Sequence, residues 1–249
     1  YIFKGQDGYY YIIATDMDCN TGWWGNSNTM VLWRSRDLVN WSDETIINMS
    51  EITGADDIQR CWAPQVIWDE QEQKYMVYFG MWTDRDDRGT GLYYSYTDDL
   101  LDQNSYTDPQ PLYVPTSGKD AIDGDIIYDS QSETYYLYYK DESNATICWV
   151  KSKNLTGPYE DASNPKKLLS SDVGLEGCNA FSITGSDTLV MLADAYGDGY
   201  FVMYQSTDFE NFYPVLSSAF TINNCSPRHG SVIPISNQEY KRLTNYIGY

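Results

Sequence analysis

Histidine and cysteine are scarce in this chain of 249 residues. His229 is the only histidine, and the cysteines are scattered: Cys19, Cys61, Cys148, Cys178 and Cys225. Zinc sites usually need closely spaced cysteine pairs or several histidines, and disulfide scaffolds need denser cysteine. The sequence therefore argues against both classes. We predict that the cysteines are separate small buried hydrophobic residues, with one disulfide as the alternative.

Two common catalytic motifs and long apolar runs are also absent. Neither HExxH nor GxSxG occurs, which argues against zinc peptidases and elbow-type serine hydrolases. No apolar run approaches the roughly 20 residues of a membrane helix, so we expect no integral membrane protein. The chain starts at Tyr1 without a signal-peptide pattern. We expect a processed product that has lost an upstream segment, with a secreted or periplasmic location.

Basic residues are few: 16 Lys and Arg stand against 36 Asp and Glu, a net charge of −20. A surface of this charge repels phosphate, so nucleic-acid binding is not expected. A neutral or cationic ligand remains compatible with it. Aromatic residues, in contrast, are abundant at 16%, with 24 Tyr and 8 Trp. The chain therefore contains more aromatic side chains than a hydrophobic core alone requires. We infer no protein partner.

The strongest organisational feature is a fourfold repeat. In each unit a turn separates two strand-like runs, a third run follows, and a Ser-x-Asp/Asn-Leu-like turn closes the unit. The closing Leu or Phe falls at positions 38, 100, 155 and 209, spacings of 62, 55 and 54 residues, in the range of propeller blades. The predicted strands are 1–4, 9–15 and 30–35; 65–68, 74–80 and 91–97; 125–128, 134–140 and 146–151; and 179–184, 188–193 and 200–206.

A fifth unit opens at residues 231–235 and then gives way to residues 237–243, the one plausible helix. We therefore predict an all-β fold, a five-bladed β-propeller whose fifth blade is incomplete in this chain, as a single domain over residues 1–249. The missing strands of that blade would come from sequence before Tyr1. An all-β sandwich is the alternative, although its strands need not recur at a fixed period.

Polar residues precede the first strand of successive units. In a propeller the first strand lines the central channel, so residues just before it should converge on the axis. The equivalent places hold an aromatic residue, two carboxylates and an Arg-His pair: Trp62, Asp123, Glu176, Arg228 and His229. Two carboxylates in an aromatic-lined pocket suit hydrolysis of a glycosidic bond, which needs an acid for the leaving oxygen and a carboxylate across the ring.

The two carboxylates have different sequence contexts. Glu176 lies in the uncharged run 174–178, where partial burial would raise its pKa, as a general acid near neutral pH requires. A surface-loop glutamate is the alternative. Asp123 belongs to an acidic run with Asp120 and Asp125, and Asp123 and Asp125 would point to the same side if both are extended. A solvated turn or a cation site is the alternative there.

The remaining candidates would hold the sugar or a cation. Arg228 is suited to bidentate hydrogen bonds with sugar hydroxyls. Trp62 and Trp24 are candidates for stacking on a sugar face, with packing or a place on the rim as the alternative. His229 is a candidate ligand, direct or through water, of a cation on the propeller axis. A satisfied core histidine is the alternative.

These residues resemble glycoside hydrolase family 43, five-bladed propeller enzymes that remove arabinofuranose or xylose with inversion. The resemblance covers nearly the whole chain. It rests on the run 8–11, the run 35–41, Trp-Ala-Pro at 62–64, Ile-Asp at 122–123, Glu-Gly at 176–177 and Arg-His-Gly at 228–230. None of these motifs is specific for the family on its own. The occurrence of all six in this order is specific.

The resemblance implies a role for each matched residue. Glu176 matches the family's general acid, and Asp123 matches the carboxylate that tunes the pKa of that acid and orients it. Arg228 matches a sugar contact, and Trp62 matches the Trp of the Trp-Ala-Pro motif. His229 matches an axial histidine near a calcium or another cation. A structural calcium or another cation on the axis is thus expected, and no organic cofactor.

The sequence departs from the family pattern at three places. Gln65 stands where Glu is common after Trp-Ala-Pro, and Cys178 stands where Pro often follows Glu-Gly. The family's general base, an Asp a few residues before the Gly-x-Tyr-Tyr run, would fall just before Tyr1. Asp7, Asp16 and Asp18 do not begin a first strand, so none of them is assigned as the base.

The leading hypothesis is an inverting exo-glycosidase, an α-L-arabinofuranosidase acting on side chains of plant polysaccharides. Its partner would be a neutral oligo- or polysaccharide. A β-xylosidase and a galactofuranosidase are close alternatives, because pocket shape decides among these sugars. A non-catalytic carbohydrate-binding propeller and a protein-interaction propeller are alternatives of other classes.

Overall fold

The described part of the chain folds into four antiparallel sheets of four strands each. The computed structural model describes residues 1–17, 27–53, 58–83, 89–115, 120–159, 166–168, 173–222 and 228–247. Within each sheet every strand pairs with the next one along the chain, which is the blade arrangement of a β-propeller.

The blades follow one another in chain order. Blade 1 contains β1 (Ile2–Lys4), β2 (Tyr10–Thr15), β3 (Thr29–Ser35) and β4 (Thr45–Asn48). After the short helix α1 (Met49–Thr53), blade 2 contains β5 (Ile58–Asp69), β6 (Lys74–Thr83), β7 (Gly91–Thr97) and β8 (Gln110–Tyr113). Blade 3 contains β9 (Ala121–Asp129), β10 (Thr134–Asp141), β11 (Thr146–Ser152) and β12 (Lys166–Lys167). Blade 4 contains β13 (Glu176–Ser182), β14 (Leu189–Ala195), β15 (Tyr200–Ser206) and β16 (Tyr213–Pro214).

The three strands predicted for each of these units are confirmed, but the fourth strands were missed. β12 and β16 have only two residues each, and β16 is exposed. Short outer strands carry little hydrophobic alternation, so the sequence pattern does not mark them. The inner strands β5 and β9 also begin earlier than predicted, before the bulges described below.

The core consists of apolar layers between the faces of successive blades. One cluster joins blades 1 and 2, with Ile13 and Phe79 among its members, a second joins blades 2 and 3, and a third joins blades 3 and 4. Tyr78, Tyr138 and Tyr139 are among the largest fully buried side chains. Tyrosine side chains on the strands therefore supply much of the packing.

The predicted closing turn has the same geometry in blades 1 and 4. Asp37 Oδ1 accepts hydrogen bonds from the backbone N–H groups of Val39 and Asn40, at 2.9 and 2.7 Å. Asp208 Oδ1 accepts from the corresponding N–H groups of residues 210 and 211, at 3.0 and 2.7 Å. The intervening Leu38 and Phe209 have left-handed φ angles of 65° and 62°. The repeat read from sequence is thus a repeat of backbone conformation.

The prediction of a fifth strand at residues 231–235 is wrong for the described chain, which has four blade sheets rather than five. No strand in the described residues pairs with this segment, so it forms no ladder. Instead it bridges blades 4 and 1. The Val232 N–H donates to Asn179 Oδ1 at 3.0 Å, and the Ile2 N–H donates to Ser231 Oγ at 2.8 Å.

The predicted C-terminal helix is confirmed and longer than expected. Helix α2 (Asn237–Ile247) begins with a capping box, in which the Ser236 N–H donates to Glu239 Oε2 at 2.7 Å and the Glu239 N–H donates to Ser236 Oγ at 3.3 Å. It is tied to blade 1, because Tyr10 Oη donates to Glu239 and Arg242 donates to the Asp37 carbonyl at 3.1 Å. Residues 228–247 therefore cross the space between blades 4 and 1.

Three cysteines match the prediction of small buried residues: Cys61, Cys148 and Cys178. Cys19 and Cys225 lie outside the described residues. Neither helix in the described ranges combines the length and apolarity that a membrane span requires.

Candidate active site

The inner strands of blades 2, 3 and 4 carry the same backbone irregularity. In each one, two residues face a single residue of the neighbouring strand: 63–64 in β5, 123–124 in β9 and 177–178 in β13. The first residue of each pair has a left-handed φ: 46° at Ala63, 54° at Asp123 and 54° at Gly177. Bulges of this kind redirect side chains at the end of a strand. Here they lie at the same end of the inner strands β5, β9 and β13.

The predicted site residues lie at or beside these bulges. Asp123 is itself a bulge residue, and Trp62 and Glu176 immediately precede the bulges of their strands. Arg228 and His229 repeat the pattern without a strand, since His229 has a φ of 56°. Trp24 lies outside the described residues. The structure thus brings Asp123, Glu176, Arg228 and His229 into one cluster and puts Trp62 at the equivalent position of blade 2.

Glu176 is the centre of this cluster. Its Oε2 accepts a hydrogen bond from Lys140 Nζ at 2.7 Å. Its Oε1 accepts one from Arg228 Nη2 at 2.5 Å and lies 3.4 Å from His229 Nε2. The side chain of Lys140 is 4% exposed, whereas that of Arg228 is 44% exposed. One oxygen of Glu176 is therefore held from the interior and the other from the solvent side.

The expectation that the pKa of Glu176 is raised is wrong in this arrangement. Burial raises its pKa, but hydrogen bonds from His229 and Lys140 outweigh burial and lower it to about 2. For His229, burial lowers the pKa, but the hydrogen bond to Glu176 and the charge of Asp123 raise it above its ordinary value. The cluster thus holds Glu176 ionised. The local sequence around Glu176 gave no sign of this, because all three cations come from other segments.

Asp123 is buried beside Glu176. Its Oδ2 accepts a hydrogen bond from the Gly177 N–H at 3.0 Å and lies 3.7 Å from His229 Nε2. Burial raises the pKa of Asp123, while the charge of His229 opposes the rise. The packing is tight, since a Cβ on Gly177 would lie 2.7 Å from the His229 ring. Asp123 thus fixes the backbone that carries Glu176.

The other two residues of the acidic run, Asp125 and Asp120, lie in different surroundings from Asp123. The bulge interrupts the alternation of β9, and Asp125 lies one layer deeper in the channel, where its Oδ2 accepts from the Ala180 N–H at 2.6 Å. Burial raises the pKa of Asp125 to about 6, against hydrogen bonds from Ala180 and Asn179. Asp120 accepts from the Thr90 N–H at 2.7 Å. The run is therefore not a solvated turn.

Trp62 has one of its ring faces covered. The guanidinium carbon of Arg60 lies 4.4 Å from the ring centroid of Trp62 and 5.4 Å from that of Trp82. Arg60 is held there by a hydrogen bond to Thr90 Oγ1 at 2.9 Å. A cation over an aromatic face is attractive, so a sugar that stacks on Trp62 would use the opposite face.

Sequence reasoning missed two charged residues of the cluster, Lys140 and Asp194. Asp194 is fully buried, and its Oδ2 accepts from Arg228 Nε at 2.8 Å and from the His229 N–H at 3.3 Å. The two residues have equivalent registers, because Lys140 pairs with Ile122 and Asp194 pairs with Glu176. The sequence feature that could have identified both residues is a charge near the end of an apolar second strand.

Asp123, Glu176 and His229 are also the candidate metal ligands. Their ligand atoms lie within 4.8 Å of one another, and two carboxylates with one imidazole are a donor set that divalent cations accept. The cations of the protein compete for the same atoms. A metal ion fits only if His229 is neutral and Arg228 leaves Glu176 Oε1.

Comparison with known proteins supports the propeller fold. A family model described as a probable glycosyl hydrolase domain, related to glycoside hydrolase family 43, matches residues 1–241. An α-L-arabinofuranosidase of Bifidobacterium longum subsp. longum is 27% identical over 194 residues, which cover 66% of this chain and 18% of the relative. The chain therefore spans less than a fifth of the length of that relative.

Solved structures share the fold at low identity. The catalytic domain of a Coprinopsis cinerea family 62 α-L-arabinofuranosidase has a TM-score of 0.64 at 17% identity, covering 86% of this chain and 65% of that one. An exo-β-1,3-galactanase of Phanerochaete chrysosporium has a TM-score of 0.58 at 15% identity, covering 84% of this chain and 47% of that one. These similarities show the propeller fold. Together with the family match over nearly the whole length, they confirm the resemblance: the chain belongs to the glycosyl hydrolase domain family related to glycoside hydrolase family 43.

Proposed function

We propose that this chain is the catalytic domain of an inverting exo-glycoside hydrolase that removes α-L-arabinofuranose from side chains of plant polysaccharides. The observation that carries the proposal is Glu176 beside the bulge of β13, with its Oε1 bound to the exposed Arg228. In this proposal Glu176 is the general acid and Arg228 binds a sugar hydroxyl. Trp62 provides a stacking face on the neighbouring side of the opening.

Asp123 has a supporting role in the proposed reaction. An oxygen of Asp123 lies within 4.8 Å of one of Glu176, whereas the acid and base of an inverting enzyme are about 6.5–9.5 Å apart, with water between them. Asp123 is also buried and hydrogen-bonded to the Gly177 N–H. We therefore assign it to orienting Glu176 and tuning its pKa, and we assign the general base to another carboxylate.

The register of the blades points to where that base belongs. Asn179 is three residues after Glu176, and it has the place in blade 4 that Tyr1 has in blade 1, where Tyr1 pairs with Ile13 through two backbone hydrogen bonds. The blade 1 position equivalent to Glu176 therefore precedes Tyr1. We propose an Asp there as the base, and strands of the same upstream segment as the rest of a fifth blade.

Glu176 needs a proton before it can act as an acid. Arg228 is the most exposed member of the cluster, so a sugar hydroxyl that binds its guanidinium would draw it from Oε1. The hydrogen bond from Arg228 to Oε1 would then be lost, while burial by the sugar would raise the pKa of Glu176. Binding of the substrate thus prepares the acid.

A non-catalytic carbohydrate-binding propeller is the second candidate, and the ionised state of Glu176 favours it. A carboxylate with a pKa of about 2 is suited to accepting hydrogen bonds from sugar hydroxyls. Among catalytic alternatives, β-xylosidase and galactofuranosidase activities use the same reaction. A secreted or periplasmic location also belongs to the proposal.

Product stereochemistry and azide rescue test the enzyme proposal. The natural full-length protein is incubated with nitrophenyl α-L-arabinofuranoside, β-D-xyloside and galactofuranoside, and NMR follows the anomer that forms first. We expect inversion and a preference for the arabinofuranoside. The 249-residue chain alone should bind the sugar and hydrolyse it slowly, and azide should accelerate nitrophenol release with formation of an inverted glycosyl azide. Binding without turnover by the full-length protein would select the second candidate.

The axial cation is a separate proposal, with His229 as one ligand. If a divalent ion binds there, it stabilises the folded protein by RT ln(1 + [L]/Kd). The melting temperature should then fall on addition of EDTA in the wild type and not in His229→Ala. Equal melting temperatures with and without EDTA in both proteins would assign His229 to the ion-pair cluster alone.

A further inference from the structure

Lys140 is a buried lysine at the end of β10 that belongs to none of the motifs found in the sequence. Its Nζ donates to Glu176 Oε2 at 2.7 Å and to Glu142 Oε1 at 3.2 Å, and it lies 4.5 Å from the ring centroid of Tyr196. The side chain of Glu176 is 12% exposed and that of Glu142 is 38% exposed. Because a buried ammonium is costly unless anions compensate it, Glu176 is the partner that chiefly justifies Lys140.

Lys140 makes the two oxygens of Glu176 inequivalent. Oε2 faces an ammonium, which has three donors and no acceptor. A proton on Oε2 would compete with this ammonium for the lone pairs of Oε2 and weaken the hydrogen bond. Oε1, in contrast, accepts from Arg228, whose side chain is 44% exposed and therefore open to a sugar hydroxyl, whereas the side chain of Lys140 is 4% exposed. The proton of a neutral Glu176 therefore belongs on Oε1.

We propose that Lys140 is a positioning residue that anchors Oε2 of Glu176, so that Oε1 carries and delivers the catalytic proton. The inference rests on the proposed role of Glu176 as general acid. In the step, the Oε1–H bond breaks and its electron pair stays on Oε1. The proton bonds to the leaving oxygen, which takes the electrons of the broken glycosidic bond, while the oxygen of a water molecule bonds to the anomeric carbon and its proton passes to the proposed base. Lys140 touches neither the sugar nor the transferred proton.

Two other blades use the same kind of support, which favours a positioning role. Thr15, at the end of the second strand of blade 1, accepts a hydrogen bond from the Ala63 N–H in the bulge of blade 2 at 2.8 Å. Asp194, on the second strand of blade 4, binds Arg228 and the His229 N–H. Lys140, on the second strand of blade 3, binds Glu176 of blade 4 in the same way. A side chain of the second strand thus fixes the rim residue that follows in blades 1, 3 and 4, whereas the equivalent position of blade 2 is Gly80.

The test compares Lys140→Met with Lys140→Arg in the natural full-length protein, using arabino-oligosaccharides and nitrophenyl arabinofuranoside. We expect Lys140→Met to lower kcat on the oligosaccharide by about 10–100-fold, with KM changed less than about twofold. On the nitrophenyl glycoside, whose leaving group needs no proton, the loss should be less than about threefold. Lys140→Arg keeps the charge and should lose less on the oligosaccharide than Lys140→Met.

Lys151→Met is the matched control. Lys151 also lies near an aromatic ring, Trp149, and forms an ion pair with Glu210 at 2.9 Å, but on the outer part of blade 3. Its replacement should leave the ratio of the two activities unchanged. Melting temperatures of all variants separate loss of folding from loss of the proton-delivery step.

A Glu176→Gln background decides between positioning and mere stability. If Lys140 acts through Glu176, Lys140→Met should cause no further loss of kcat there, because neighbouring effects on one function are not additive. Equal losses on both substrates for Lys140→Met, or a further loss in the Glu176→Gln background, would overturn the inference. Equal losses for Glu176→Gln alone would instead overturn the proposed acid. If Lys140→Met does not fold, the double variant, which removes both charges, and Lys140→Arg give the same comparison.

Discussion

The bulges of blades 2 and 4 have the same backbone and different chemistry. In blade 2, the bulge at Ala63 is supported by the hydroxyl of Thr15, and the residue before it is Trp62. In blade 4, the bulge at Gly177 is supported by the carboxylate of Asp123, and the residue before it is Glu176. The repeated fold therefore supplies equivalent positions on the rim. The side chains that reach each position from the preceding blade decide whether it is apolar or ionised.

The largest effect should come from removing the charge at the blade 4 position. Glu176→Gln keeps the shape but cannot donate an acidic proton, so hydrolysis of natural arabinosides should fall by about 10²–10⁴-fold. Nitrophenyl arabinoside should be affected much less, because its leaving group departs as an anion. Glu142→Gln, which removes the other carboxylate at Lys140, is the control and should retain activity. Equal losses on both substrates would remove Glu176 from the acid role.

The next effect should come from the backbone itself. Gly177→Ala introduces a Cβ 2.7 Å from the His229 ring at a φ of 54°, and overpacking of this kind costs about 1–3 kcal/mol. Urea denaturation should show this loss of stability, together with a lower kcat as His229 and Glu176 shift apart.

The equivalent change in blade 2 should act in the opposite direction or hardly at all. Ala63→Gly relieves a left-handed alanine at a φ of 46° but adds chain entropy to the unfolded state, so the free energy of unfolding should change by less than about 1 kcal/mol. If Gly177→Ala and Ala63→Gly lower the free energy of unfolding equally, the two bulges differ less than the residues around them suggest.

The smallest effect should be a shift of the pH profile. Asp123→Asn retains an acceptor for the Gly177 N–H but removes a negative charge near Glu176. A negative neighbour raises the pKa of a carboxyl group, so its loss should lower the pKa of Glu176. The basic limb of the kcat profile should therefore move to lower pH, by about 1–2 units. Asp120→Asn is the control. An unmoved limb in Asp123→Asn would assign the tuning to Asp125 or leave Asp123 with a backbone role alone.

The candidate site was predictable from sequence in position but not in charge state. The spacing of the repeats identified Asp123, Glu176, Arg228 and His229 as equivalent places, and the structure brings them together. The pKa of Glu176 was predicted in the wrong direction because the hydrogen bonds from His229 and from Lys140, 36 residues earlier, are not visible in the local sequence. Hydrophobic periodicity reports on one strand at a time, whereas ion pairs depend on how blades pack.

By itself, the sequence determined three strands of each of the four blades, the closing turns and the helix at residues 237–243, which the structure extends to Ile247. Alternating aromatic and β-branched residues and Asx-type turns act within a few residues, so they can be recognised locally. Only the tertiary structure decided that residues 228–236 bridge blades 4 and 1 without a ladder, and that Lys140, Arg228 and His229 hold Glu176 ionised. Backbone pairing requires a partner strand, and a pKa requires the charges that lie within a few ångströms. Both are properties of neighbours that the chain acquires only when the blades come together.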